Sequence, residues 1–219
     1  LSNSIMFILA PIFTFMFSLI SWSVIPLTNH IVISDINLGL LFLFSISSLG
    51  VYGIIISGWS SNNKYAFLGG LRAAAQFISY EVSIGISIMP ILMAVNSLNL
   101  TDIVVFQKEL WFFWVFFPSF FMFFIAALAE TNRVPFDLPE AEAELVSGYN
   151  VEYSATTFVL FFLAEYSNIL IMSVLISIFF FGGWLPPIYF FLFIPGWFWL
   201  IIKVIFIILV FIIIRTALP

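Results

Sequence analysis

The longest uninterrupted apolar runs in this chain decide what it can fold into. Six of them, at about residues 5–25, 36–57, 73–95, 111–129, 155–180 and 197–214, each approach the length of roughly 20 helical residues that crosses a hydrocarbon core about 30 Å thick. The runs are continuous and do not alternate at period two, so helices are indicated over a transmembrane barrel. A helix pairs its own backbone groups, as lipid requires. With 63% hydrophobic residues, 8% charged residues and a mean hydropathy of +1.22, the composition fits no soluble domain, which carries roughly 25% charged residues. The fold expected is all-α: one polytopic transmembrane bundle of about six spans over residues 1–219, with a single acidic loop at about 130–154.

Composition also narrows function. No basic patch exists to neutralise phosphates, which argues against a nucleic acid partner. The absence of cysteine rules out a cysteine-ligated iron–sulfur cluster or a disulfide within this chain. The one histidine, His30, lies in a short loop, and no metal site is expected. Neither glycine-rich nucleotide fingerprint occurs. No cleavable targeting signal is visible, because the chain runs straight into its first span.

The charges that remain are concentrated. Between Glu130 and Glu152, ETNRVPFDLPEAEAELVSGYNVE, stand Glu130, Asp137, Glu140, Glu142, Glu144 and Glu152 against Arg133 alone. That net of −5 equals the net charge of the whole chain, so the other acids and bases cancel. Pro135 and Pro139 interrupt helix continuity, and Pro139 can open a short helix whose N-terminal end favours the acids that follow. Asp137, Glu140 and Glu144 would then share one face, and Gly148 is a plausible stop. A solvated acidic loop is the plain alternative.

Two acids lie inside apolar runs, Glu81 and Glu165, and Glu130 closes the fourth. An ionised carboxylate at bilayer depth costs roughly 2.5–3.5 kcal/mol on insertion scales, so it must be paired, hydrated or protonated. Acids poised between those states can pass protons. The alternative is a neutral Glu hydrogen-bonded to a neighbouring helix, for example through Asn168 or Ser167. Lys203, in the sixth run, either snorkels or pairs with an acid on another helix. Small residues at Ala75, Ser79, Ser83 and Ser87 form a stripe suited to close helix packing, with Glu81 on nearly the opposite face. Asp35 reads as a helix-start residue for the second span. Lys64, Arg72, Arg133 and Arg215 fall on one side of the alternating topology and only Lys108 on the other, which places the acidic loop and both chain ends inside.

The run from Glu130 to Ser154, ETNRVPFDLPEAEAELVSGYNVEYS, resembles the signature loop of subunit 1 of respiratory complex I, the proton-translocating NADH:quinone oxidoreductase. The stretch from Ser34 to Gly85 resembles the preceding part of that subunit, and FFLAEYSNI and GGWLPP resemble later parts. The resemblance covers essentially the whole chain. It implies a core membrane subunit that forms part of the quinone chamber and couples quinone reduction to proton translocation. Glu81, Glu130 and Glu165 match the family's buried carboxylate relay, and Arg133, Asp137, Glu140, Glu142 and Glu144 match its chamber loop. Ubiquinone is then the substrate. FMN and iron–sulfur clusters sit on partner subunits, with no cofactor held by this chain. The implied partners are quinone-site subunits of the hydrophilic arm, small and antiporter-like membrane subunits, and lipids. The implied location is the mitochondrial inner membrane, with the loop on the matrix side, and 30 Phe agree with an AT-rich organellar genome.

The family has eight spans against six here, and its basic element after the first span is missing. A companion polypeptide supplying the remaining helices is therefore expected. Three rivals stay open: the equivalent membrane subunit of a hydrogenase-type complex, a stand-alone proton channel, and a structural scaffold without proton chemistry.

Overall fold

The computed structural model describes residues 4–29, 31–133, 136–137, 148–187 and 193–217. Among the described residues eight α-helices carry the fold: α1 Ser4–Ser21, α2 Gly39–Ser60, α3 Lys64–Val95, α4 Leu100–Phe106, α5 Phe112–Val115, α6 Phe117–Glu130, α7 Ala155–Phe180 and α8 Gly196–Ala217. Short 3-10 turns follow at Trp22–Val24 and Gly148–Asn150. The described residues hold no strand beyond an isolated bridge between Thr28 and Ile31. Among the described residues five helices are long and apolar enough to cross a membrane: α1 with its 3-10 extension, α2, α3, α7 and α8.

The fourth expected span is present but broken. Phe116 leaves the helical region (φ −114°, ψ 43°) between α5 and α6. Pro118 has no N–H to give to the preceding turn and its ring crowds the carbonyl four residues back, so the helix restarts there. The 14 residues of α6 span only about 21 Å. Its C-terminus therefore stops short, and the chain that follows re-enters the protein: Thr131 and Asn132 are buried. Irregular backbone at this depth is tolerated only inside protein or along a cavity.

Helix α3 starts nine residues earlier than the apolar run suggests, at Lys64. Asn63 caps it, its side-chain oxygen accepting from the Tyr65 N–H at 3.0 Å. Its 32 residues extend about 48 Å, beyond a single hydrocarbon core. The added turns are held by close backbone approach: a Cβ on Gly58 would lie 2.7 Å from the Ala66 carbonyl oxygen, and one on Gly69 would lie 2.7 Å from Gly148 Cα. The Ala75–Ser87 stripe is not a continuous packing face. Ala75 and Ser79 are exposed while Ser87 is buried, and the hydroxyls of Ser79, Ser83 and Ser87 return to carbonyls of their own helix. Small size permits close packing but does not choose the face. In the first half of α3 the buried residues are Ala66, Gly69, Gly70, Ala73, Ala74 and Gln76.

Asp35 does not start α2 either. That helix begins at Gly39 without a side-chain cap, and Asp35 accepts a bond from Asn99 Nδ2 at 2.8 Å. This contact joins the loops after α1 and α3 at one end of the bundle. At the other end Asn63 Nδ2 donates to Glu152 Oε1 (2.7 Å), and Phe7 of α1 stacks on Tyr153 with centroids 4.0 Å apart. The alternation expected from the sequence is thus reproduced, with the acidic loop and the start of α1 on the same side.

The apolar core has two parts. The larger, with Leu40, Ile84, Ile88, Phe123, Ile176 and Phe179, fills the bundle toward the Asp35–Asn99 end. The smaller, with Ala10, Ile54, Ala73, Tyr149, Tyr153 and Phe161, lies toward the acidic-loop end. Between them is a polar gap.

Candidate functional site

That gap is a cavity of about 90 Å³ bordered by residues of both clusters, Leu43 and Met172 on one side and Ile54 and Phe161 on the other. A water molecule needs roughly 10–15 Å³ measured in this way, so the space admits several. Its polar lining comes from five places: Thr14 and Ser18 of α1, Ser47 of α2, Glu130 with Thr131 and Asn132 at the end of α6, Tyr149, and Glu165 with Asn168 of α7. The early stop of α6 is what delivers Glu130. There it shares the cavity with Glu165, which lies 10 residues, or about 15 Å, in from the loop-side end of α7.

Glu130 is 8% exposed, and its Oε2 is buried with no hydrogen-bond partner among the described residues. Glu165 is paired: Arg133 Nη2 stands 3.0 Å from its Oε1, with the two side chains 15% and 16% exposed. The guanidinium also lies 5.2 Å from the centre of the Tyr166 ring. Ser167, one of the hydrogen-bonding residues expected for a neutral intramembrane Glu, accepts from Trp22 Nε1 at 3.0 Å. The charges of Asp137 and Arg215 also act at Glu165.

Glu81 is set beside the cavity and connected to it. Its Oε1 accepts from Ser47 Oγ (3.0 Å) and Ser48 Oγ (2.7 Å) of α2, and Ser47 itself lines the cavity. The charge of Glu81 is felt at Glu130. The three acids singled out from the sequence therefore converge on one polar gap from α3, α6 and α7.

The loop root is fastened by a residue that sequence reasoning missed. Gln76 of α3 is buried, and its Nε2 donates to the Ala129 carbonyl (2.7 Å), the Phe136 carbonyl (2.8 Å) and Asn132 Oδ1 (3.2 Å). Asn132 adopts φ +49°, which turns the chain back so that Phe136 meets the Tyr80 ring edge-on. The only signal in the sequence was an amide inside an apolar run. Glu140, Glu142 and Glu144, with Pro135, Pro139 and His30, lie outside the described residues. Outside the spans, burial pushes the Tyr153 hydroxyl above its ordinary pKa, and its contact with Ser60 Oγ at 3.5 Å acts in the opposite direction.

Lys203 does not join the acids. Its ammonium donates to the carbonyls of Phe181 (2.7 Å), Gly183 (2.8 Å) and Leu185 (2.6 Å), at the end of the bundle away from the acidic loop. A lysine can snorkel to any cluster of acceptors within reach, and backbone carbonyls freed at a helix end leave no trace in a sequence.

Fold and site together define a polytopic α-helical membrane protein with one buried carboxylate, Glu130, and two partly buried ones, Glu81 and Glu165, gathered near the root of an acidic loop. Over residues 1–219 the sequence matches the family described as NADH dehydrogenase. Aligned over its full length, it is 58% identical to NADH-ubiquinone oxidoreductase chain 1 of Arabidopsis thaliana and 59% identical to the chain of that name in Chondrus crispus, covering 68% of each. It is 56% identical to an NADH-quinone oxidoreductase subunit of Pelagibacter ubique, covering 66% of it. The chain belongs to the NADH dehydrogenase family and spans about two thirds of the length of these relatives.

Proposed function

We infer that this chain acts as a core membrane subunit of an NADH:quinone oxidoreductase and carries the link between quinone reduction and proton translocation. The observation that supports this best is the cavity shared by Glu130 and Glu165, with Ser47 joining it to Glu81. Buried ionisable groups at bilayer depth are costly and are kept for ion or proton pathways. A run of carboxyls separated by hydroxyls and space for water can pass a proton by successive short transfers, each within hydrogen-bond reach. Glu130, with an unpartnered oxygen facing this space, is the natural acceptor, and Glu165 exchanges its proton against the Arg133 pair.

The loop that begins at Arg133 and contains Asp137, Glu140, Glu142 and Glu144 forms part of the quinone chamber in this reading. A change of charge at the quinone displaces the loop, moves Arg133 relative to Glu165 and so alters which acid holds the proton. Electrons reach the quinone through FMN and iron–sulfur clusters of hydrophilic-arm subunits, and the proton leaves toward antiporter-like membrane subunits. The site is the mitochondrial inner membrane, with the acidic loop facing the matrix. Relatives of both mitochondrial and bacterial kind share the sequence, so the same chemistry serves either membrane. The test is E81Q or E165Q in the assembled complex. Coupled turnover falls while NADH oxidation by artificial acceptors is retained. Wild-type quinone reduction and pumping in both variants would remove the proposal.

A further inference from the structure

The far end of α7 carries a second polar assembly that the proton pathway does not use. Helix α7 ends at Phe180, and Gly182 and Gly183 take left-handed φ of +69° and +50°. The next helical bond would run from the Gly182 N–H to the Ile178 carbonyl. It is replaced by an inserted side-chain amide. Gln107, 0% exposed, donates Nε2–H to the Ile178 carbonyl (2.8 Å), and its Oε1 accepts from the Gly182 N–H (3.1 Å). The carbonyls of Phe181, Gly183 and Leu185 then turn toward one point, and the Lys203 ammonium occupies it at 2.6–2.8 Å from each. Trp111 covers the ammonium with its ring centroid 4.6 Å away, and its own edge meets Phe181.

Donor count favours the charged form of the lysine. An ammonium has three N–H donors and no acceptor, which matches three carbonyls. A neutral amine has two, and its lone pair would face the third oxygen. The C-terminal end of a helix also favours a cation. We propose that Lys203 is a structural cation, an ammonium built into a three-carbonyl site, which pins the end of α7 to α8 and takes no part in proton transfer. Arginine cannot replace it, because a planar guanidinium spreads its donors along a fork instead of converging them on one point. The other charged groups at this end are Lys108 and Glu109, which line a neighbouring recess beside Trp111 and Leu185, Asp102 of α4, which Ser97 engages at 2.7 Å, and Asp35, which accepts from Asn99 at 2.8 Å. Among the described residues, α7 and α8 place no other charge here. Their remaining ones are Glu165 and Arg215, toward the opposite end.

The experiment compares wild type, K203M and K203R in the assembled complex. K203M leaves three buried carbonyls without a donor, and the yield of assembled complex falls by about tenfold or more. K203R behaves like K203M, not like wild type. The difference in melting temperature between wild type and K203M stays constant from about pH 6 to 9, because an ammonium held by three acceptors does not release its proton there. Per assembled complex, K203M keeps the wild-type pH profile of pumping. A wild-type K203R, a melting difference that shrinks as pH rises, or a displaced pumping profile would each overturn the proposal. Where K203M does not assemble, hydrogen exchange at residues 178–185 of the wild-type complex decides. Protection that holds across the same pH range, after correction for intrinsic exchange, supports a fixed cation, and protection lost at the alkaline end contradicts it.

Discussion

Arg133 lies 3.0 Å from Glu165 across a boundary between an irregular loop root and a regular membrane helix. One partner is fixed on α7. The other sits three residues beyond α6, in a segment held to α3 through Gln76. Any displacement of that segment changes the distance between the two charges, and at low local dielectric this distance sets much of their interaction.

Removing one partner of this pair exposes its energetics. R133M leaves the Glu165 carboxylate without its cation and costs about 2 kcal/mol of stability, below the roughly 3–5 kcal/mol of fully buried pairs because some solvent reaches both groups. E165Q added to R133M recovers a part of that loss. Melting temperatures of the assembled complex for the two single variants and the double variant give the coupling, and strictly additive effects would show that the two side chains act independently.

Ser47 carries the connection between the cavity and Glu81, so its hydroxyl has a functional effect larger than its size suggests. S47A removes a bond of about 1 kcal/mol and slows coupled turnover about fivefold, with assembly unchanged. Ser48 also holds Glu81 but does not line the cavity, and S48A has the smaller effect on turnover. Steady-state quinone reductase assays on both variants check the order.

Gln76 ties the loop root to α3, and Q76L leaves the Ala129 and Phe136 carbonyls without their donor. The expected cost is about 1–3 kcal/mol, localised at the root. Hydrogen exchange should rise at residues 131–137 while the centre of α3 stays protected.

Gly69 permits backbone contact with Gly148, since an added Cβ would meet Gly148 Cα at 2.7 Å and the Tyr149 nitrogen at 2.9 Å. Backbone cannot swing aside as a flexible side chain does. G69A therefore costs about 1–3 kcal/mol and displaces the 148–150 turn. G85A, where an added Cβ meets nothing within 4 Å, is the control and does not lower stability, since Ala at a compatible helical site is if anything favourable. Thermal unfolding of the assembled complex distinguishes the two.

Much of this architecture was legible in the sequence because lipid imposes strict rules. The run at 155–180 and the observed helix Ala155–Phe180 coincide, and loop alternation followed from counting spans. Isolated acids in apolar surroundings marked Glu81, Glu130 and Glu165. What escaped was set by tertiary contact. Nothing local says that a helix beginning at Lys64 will be held by glycine crossings at Gly58 and Gly148, or that a small-residue stripe will be exposed at Ala75 and Ser79 and buried only at Ser87. The break at Phe116 had a local signal, Pro118, which the apolar run concealed. Gln76, Gln107 and Lys203 all bond backbone carbonyls, and a sequence records which side chains are present but not which carbonyls a helix end has released.

The most direct test of the carboxylate line is the proton-pumping stoichiometry of the complex carrying E130Q, reconstituted in proteoliposomes and compared at equal electron flux. Glutamine keeps the shape of the side chain and removes its capacity to take up and release a proton. A relay through Glu130 predicts fewer protons moved per electron in fully assembled complex that still oxidises NADH with artificial acceptors. Wild-type stoichiometry in that variant would contradict it.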